Sequence, residues 1–337
     1  MDYIMTYDAL DRIMDKDFSG AISIFKDGEA VLEKAYGYAD ISNKIKNHVN
    51  TKFQTASGCK IFTAVAVLQL IEKGLLRLDT RIGDVLDFEL NQIDPSVTIR
   101  QLLNHTSGVP DYFDECIMND YDELWIDYPM YKIRSLSDLL PLFIHKPMMY
   151  QAGERFQYNN SGYVLLGIII EKVIGIQFDR YVNENIFLPS SMIDTGYYEF
   201  DRLPANCAAG YIYEASTNSF KSNIDSVDVK GGSAGGAYTT VKDIKIFWEC
   251  LLNNKLLSDA NTKLMLSPQA SDEEDIYGYG VWLCNKGNDS YYYFIQGSDP
   301  GVSFNSFVDI DDNIIATIVS NTHNDVWKYN DDILSFV

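Results

Sequence analysis

Positive charge is scarce in this sequence. Its 337 residues hold 27 lysines and arginines against 48 aspartates and glutamates, a formal net charge of −21, and such an excess repels nucleic acid phosphates and anionic membrane surfaces. The expected partner is a small molecule or a peptide, with no nucleic acid. No apolar run reaches the roughly 18 residues that would span a bilayer, so no membrane segment is expected. The opening Met1-Asp-Tyr-Ile-Met-Thr-Tyr-Asp8 lacks the basic and apolar regions of a secretion signal. A cytoplasmic location is the corresponding expectation, unless a leader has been removed. Histidine is sparse, at His48, His105, His145 and His323, without the H-E-x-x-H spacing of a zinc site. The five cysteines, Cys59, Cys116, Cys207, Cys250 and Cys284, form no C-x-x-C pair, and an odd number of scattered thiols is expected to stay reduced.

What is present is the material of a large core: 46% hydrophobic and 13% aromatic residues, enough for one large domain or two joined ones. Two strand-like runs, Ala21 to Phe25 and Ala30 to Tyr36, flank Lys26-Asp-Gly-Glu29, and Asp-Gly between such runs predicts a hairpin. Residues 60 to 73 are apolar on almost every side and end at Gly74, as a helix buried between layers would. From about Arg81 to Asp228 the chain reads as shorter helices joined by irregular polar loops. That stretch includes a capping box at Thr98-Ile-Arg-Gln101 and a long apolar helix from Ser161 to Val173 closed by Gly175. Thr240 to about Leu252 is a further helix with Asp243 placed to cap it. Tyr291 to Gln296, Val302 to Ile310 and Ile314 to Ser320 are strands in succession. Strands at both ends and helices between them predict an α+β architecture in which one antiparallel sheet is assembled from the two termini.

Within the buried helix one residue is out of place. Lys60 sits at its mouth, three residues after Ser57, and residues three apart on a helix share a face. The helix N-terminus and burial both disfavour a charged amine there, which lowers its pKa toward that of a useful base. The unpaired N–H groups of the same terminus can stabilise an oxyanion. Ser57 is thus a candidate nucleophile activated by Lys60. Ser23-Ile-Phe-Lys26 has the same pattern, but in a strand residues three apart face opposite ways. Gly231-Gly-Ser233-Ala-Gly235 matches a nucleophile elbow without the apolar strand before it or the helix directly after it, and reads as a glycine-rich loop.

Further motifs follow in order: Leu102-Leu-Asn-His-Thr-Ser-Gly-Val-Pro-Asp-Tyr112, Gly153-Glu-Arg-Phe-Gln-Tyr-Asn-Asn-Ser-Gly-Tyr163, Ala234-Gly-Gly-Ala-Tyr-Thr-Thr240 and Gln296-Gly-Ser-Asp-Pro-Gly301. With Ser57-Gly-Cys-Lys60 and its helix, this series resembles the serine β-lactamase and penicillin-binding protein superfamily, in the class C β-lactamase-like branch that includes esterases and D-amino-acid peptidases. The resemblance runs over most of the chain. It implies a β-lactamase/transpeptidase-like fold, with a sheet subdomain of residues 1–80 and 229–337, a helical subdomain of residues 81–228, and the active site in the cleft between them.

The resemblance also implies roles. Ser57 is the acylated nucleophile, and Lys60 and Tyr158 share the general-base work, provided that a cation such as Lys60 pushes the Tyr158 phenol well below its usual pKa of about 10. Asn160, two residues on in an extended segment, would hold Lys60 or the substrate amide. The N–H groups of Ser57 and Ser298 would form the oxyanion hole, with Gly297 letting substrate approach the strand closely. Gln296 would reach the substrate only through a bulge. Tyr112 either lines the cleft or is a packed aromatic. His105 reads as a hydrogen-bonded structural histidine, Cys59 as a packing residue, and the tyrosine run 291 to 293 as strand core. One departure stands out: the family usually has lysine or histidine where this chain has Ile295, which weighs against efficient penicillin hydrolysis. The implied activity is a serine hydrolase working through an acyl-enzyme on an ester, amide or D-residue peptide, with no metal or organic cofactor and with β-lactams as slow or trapped ligands. The alternative is a penicillin-binding or sensor protein that acylates without turnover.

Overall fold

A computed structural model describes residues 7–118, 120–288, 290–322 and 325–336. The opening residues 1–6 and His323, named above, lie outside the described residues. The strands at the two ends of the chain, three of them buried along nearly their whole length, build one eight-stranded antiparallel sheet. Its order is Glu29–Tyr36, Gly20–Lys26, Ile314–Ser320, Val302–Asp309, Ser290–Asp299, Trp282–Gly287, Ile276–Tyr277 and Ala270–Ser271. The amino-terminal hairpin turns at Asp27 and Gly28, both with positive φ, and its first strand pairs from Gly20 opposite Ser320 to Lys26 opposite Ile314. The two ends of the chain thus close one sheet.

Successive side chains on a strand face opposite sides, and this sheet has a core on each side. Ile314, Ala316 and Ile318 join Ile22, Ile24 and Leu32 beneath two terminal helical segments, contributing Leu10, Tyr329 and Ile333. Val319, Phe304, Val308 and Ile295 belong to the larger core with the Lys60–Glu72, Asn160–Ile174 and Val241–Leu252 helices. The Lys60–Glu72 helix is buried from Lys60 to Leu70, which explains why its sequence has no polar face.

Four local expectations are revised. Thr240, not Asp243, caps the Val241–Leu252 helix, accepting from the Asp243 N–H at 3.1 Å. The Asp243 carboxylate instead accepts from the Asp194 N–H and the Thr195 hydroxyl. The middle of the chain also contains a hairpin, Tyr211–Glu214 with Ser219–Ser222, turned at the positive-φ residue Asn218. The strand Trp282–Gly287 adds to the sheet ahead of the three strands expected. Tyr291, Tyr292 and Tyr293 lie in a paired strand, as cross-strand pairing requires, but are half-buried against the margins of the two cores rather than within them. By contrast, the capping box at Thr98 and Gln101 is formed in both directions, and all five cysteines are free thiols. Among the described residues no single helix is long and apolar enough to cross a membrane.

Trp248 fastens helix to sheet. It is fully buried and its indole N–H donates to Ser306 Oγ at 3.0 Å. Trp248→Ala removes a large core side chain and deprives the Ser306 hydroxyl of its donor, so chemical denaturation should report a loss of about 3–5 kcal/mol. A loss under about 1 kcal/mol would show that the helix is held otherwise.

Candidate active site

The chain reaches Ser57 through a short ribbon, Phe53–Gln54 paired with Tyr238–Thr239. The Thr55 N–H donates to the Ala237 carbonyl, and the Ala56 carbonyl accepts from the Gly236 N–H. Between these bonds Ala56 adopts φ 44°, a left-handed conformation costing about 1–3 kcal/mol in a non-glycine residue. One 3₁₀ turn, Ala56–Cys59, then leads into the Lys60–Glu72 helix.

Lys60 is 2% exposed. Its Nζ lies 2.9 Å from Ser57 Oγ, 2.8 Å from Asn160 Oδ1 and 2.5 Å from the Ala234 carbonyl oxygen. The Asn160 and Ala234 oxygens can only accept, so each takes an N–H from Lys60; the Ser57 hydroxyl can donate or accept. A neutral amine therefore satisfies both acceptors and keeps its lone pair for the serine proton. Burial lowers the Lys60 pKa to about 8, against the opposing pull of Cys59, Glu115, Asp111 and Asp299.

Tyr158 behaves differently from the expectation. Its ring centroid is 4.8 Å from Lys60 Nζ, and it stacks on Trp282 with centroids 5.7 Å apart. Burial holds the phenol well above 10, helped by Tyr277 and Glu115, and the hydrogen bond with Ser57 does not offset this. The phenol is therefore a resting proton donor, and of the two candidate bases Lys60 is the one whose ionisation lies nearer neutrality. His105 is fully buried; its Nδ1 accepts from the Asn159 N–H at 3.1 Å, and burial and Lys60 keep it uncharged. It supports the backbone that presents Tyr158.

Asn160 is not in an extended segment. Asn159 is extended and caps the helix, accepting from the Gly162 N–H, and Asn160 is the first helical residue. The buried Asp111 carboxylate receives the N–H groups of Asn160 at 2.7 Å and Ser161 at 3.0 Å, plus the Ser161 hydroxyl. Burial still raises Asp111 to about 6. Tyr112 combines both proposed characters: it is 4% exposed in the core and also lines the cleft.

On the opposite wall, the strand Ser290–Asp299 pairs with Val302–Asp309 in unbroken register, with Gln296 opposite Asn305. Gln296 lines the cleft without a bulge, because its side of the strand is turned to the opening while Ile295 is buried in the larger core. Gly297 serves a close approach other than the one expected. A Cβ there would lie 2.4 Å from the Thr55 carbonyl and 2.5 Å from the Ser57 nitrogen, so the glycine lets the strand press against the serine turn. Ser298 follows at the exposed lip. Ser57, Tyr158, Gln296, Gly297 and Ser298 all border a cleft of about 770 Å³, and Ser57, Tyr112, Asn160 and Ser298 border a narrow recess of about 40 Å³ that shares its Ser57, Glu115, Tyr121 and Asp299 walls.

The decoys fall elsewhere. Ser233 is fully buried against Gly167, where an added Cβ would lie 2.3 Å from its Oγ, while Ala234, Gly235 and Gly236 of the same loop line the recess. Ser23 is buried within its strand. Residues not singled out by motif reading are the Ala234 carbonyl, Asp111 as a cap, the strained Ala56, Trp282 behind Tyr158, and the acids Glu115, Asp228 and Asp299. No spacing signal marks their roles: the strain at Ala56 is a backbone property that its sequence does not show, and the others meet the serine only across the fold.

Gly297→Ala should push the strand off the serine turn. Displacements near 1 Å at a reacting centre cost about 10²-fold in rate, so Ser57 acylation should slow by about that factor while circular dichroism stays unchanged. Acylation at the wild-type rate would show that the contact is not needed.

Comparison with known proteins agrees with this architecture. A family profile described as Beta-lactamase matches residues 8–334. Penicillin-binding protein 4* of Bacillus subtilis (strain 168) is 29% identical over 331 residues, which are 94% of this chain and 71% of that protein. Some curated relatives are spanned less completely, the match to protein flp of Staphylococcus aureus covering 59% of its length. The crystal structure of a penicillin binding protein from Bacillus halodurans superposes with TM-score 0.91 and 41% identity over 95% of this chain and 97% of that one. A D-amino acid amidase from Ochrobactrum anthropi SV3, at TM-score 0.73 and 24% identity over 93% and 88% of the two chains, shares the fold. The chain belongs to the Beta-lactamase family, whose fold serves serine hydrolases and acylating proteins.

Proposed function

We propose that the protein is a serine hydrolase that acts through an acyl-enzyme on an ester, an amide or a peptide bearing a D-residue. The observation that carries this reading is a desolvated Lys60 amine 2.9 Å from the Ser57 hydroxyl, with its other two contacts held by acceptors. In acylation, Lys60 Nζ takes the Ser57 proton as Oγ bonds to the substrate carbonyl carbon, and the carbonyl oxygen becomes an oxyanion facing the Ser57 and Ser298 N–H groups. Lys60 returns that proton to the leaving group through the Tyr158 phenol, and the carbon–leaving-group bond breaks. In deacylation, water gives a proton to the same pair and attacks the acyl carbon; Ser57 recovers its proton as the ester breaks. None of these steps calls on a metal or an organic cofactor.

A second reading has its own support. The buried Ile295 occupies the place of the family's usual cation, and without that charge an anionic β-lactam is poorly positioned. On this reading the protein acylates and holds the adduct, as a penicillin-binding sensor would.

Intact-mass measurement after exposure to p-nitrophenyl acetate should show one added acetyl group, absent in Ser57→Ala; equal labelling of that variant would refute the nucleophile assignment. Steady nitrophenolate release after a burst supports the hydrolase, and a permanent adduct supports the sensor. The pH profile tests the base. Lys60 works only when neutral, so acylation should rise with pH through an apparent pKa of about 8. Lys60→Arg, which cannot deprotonate, should lose this limb. Asp299→Asn should keep it, which separates the amine from a carboxyl titrating in the same range. A limb only above pH 10 would instead assign the base to Tyr158.

A further inference from the structure

The cleft carries carboxyl groups that acyl transfer does not use. Asp228 and Asp299 wall the recess beside Ser57, and Asp299 continues into the wider cleft with Glu115, Asp120 and Asp275. Among the described residues no lysine or arginine lines either part. The nearby Lys60 amine lies beneath the serine and is committed to Ser57, Asn160 and Ala234. Asp228 receives a long bond from the Tyr121 hydroxyl, at 3.4 Å, and one from its own backbone N–H, with no cation among the described residues. The half-buried Asp299 carboxylate has no hydrogen-bond donor among the described residues.

These groups also crowd one another. Burial raises Asp228 to about 7 and Asp299 to about 8; for Asp299 the neighbouring Asp228 adds to the rise, Lys60 opposes it, and Glu115 adds again. A carboxyl left unpaired, desolvated and beside a second carboxyl is stabilised by an arriving cation and destabilised by an arriving anion. Aromatic faces complete the walls, from Phe113, Tyr121, Tyr158, Trp282 and Trp327, and such faces also attract ammonium groups.

We propose that the substrate's acyl part carries a protonated amine, which Asp299 and Asp228 receive while its carbonyl carbon lies over Ser57. The substrate class is then an amino-acid or peptide ester or amide with a free ammonium group, and N-acylated or carboxylate-terminated donors are the poor ones. This assignment rests on Ser57 being the acylated nucleophile. It explains how the site operates without a cation at position 295, since an ammonium substrate has no need of one.

The experiment compares kcat/KM for alanine p-nitroanilide with kcat/KM for its N-acetyl and N-succinyl derivatives, in both enantiomers, using the full chain. The free amine should be preferred by about tenfold or more, as expected for one charge pair at a partly desolvated site, and the preference should weaken in high salt. Asp299→Asn and, independently, Asp228→Asn should each reduce the ratio of amine to N-acetyl substrate by about fivefold or more. A ratio is read rather than a rate, so a general loss of activity in a variant does not imitate the effect. Equal use of the three donors, a preference for the succinyl donor, or an unchanged ratio in both variants would overturn the proposal. Acetylation of Ser57 by neutral p-nitrophenyl acetate separates the two levels: with it, such results overturn only the amine assignment, and without any acylation the hydrolase reading falls as well.

Discussion

An amine kept out of water is the condition on which the site depends. A lysine side chain in solvent is protonated at neutral pH and cannot take a proton from serine. Here the Lys60 helix is enclosed on all sides for nearly three turns, and desolvation brings the amine within reach of neutrality. Burial alone would leave it free to turn away. The Asn160 and Ala234 oxygens prevent this, because each must be given a hydrogen and neither can give one back.

Those acceptors are themselves held by distant parts of the chain. Asn160 opens a helix whose first N–H groups are taken by the buried Asp111 carboxylate, and Asn159 and His105 set the backbone just before it. Ala234 belongs to a glycine-rich loop that passes beside the strained Ala56. The strand carrying Ser298 closes the other side and can come near enough only because residue 297 has no side chain. The serine turn is thus clamped by a loop, a helix terminus and a strand edge, each stabilised by contacts that do not involve the serine. Such independent support is what a preorganised site requires.

The acidic walls belong to a different layer of the design. On the proposed mechanism the acyl-transfer machinery works with neutral groups: the amine in its deprotonated form, a protonated phenol, an amide and two backbone N–H groups. The unpaired carboxyls stand outside it, along the surface that substrate must cross. On the proposed reading the chemistry stays constant while the cleft carboxyls select which acyl group reaches the serine, in a chain that buries Ile295 in the core and lines its cleft with acids.

Local pattern determined a good deal. The Asp-Gly hairpin, the helix after Ser57 with its Gly74 stop, the Thr98 capping box and the succession of the last strands are settled by neighbours within a few residues, so they could be read directly. The serine–lysine pair was legible for the same reason, since three residues along a helix put both groups on one face. Tertiary structure decided whether that pair could work. The downward shift of Lys60, the upward shift of Tyr158, the orientation of Gln296, the contact that makes Gly297 necessary and the convergence of Asp228 and Asp299 all depend on groups brought together from far along the chain. Spacing along a chain specifies which side chains share an element, but desolvation and electrostatic field are sums over everything packed around a group, and that sum exists only once the chain has folded.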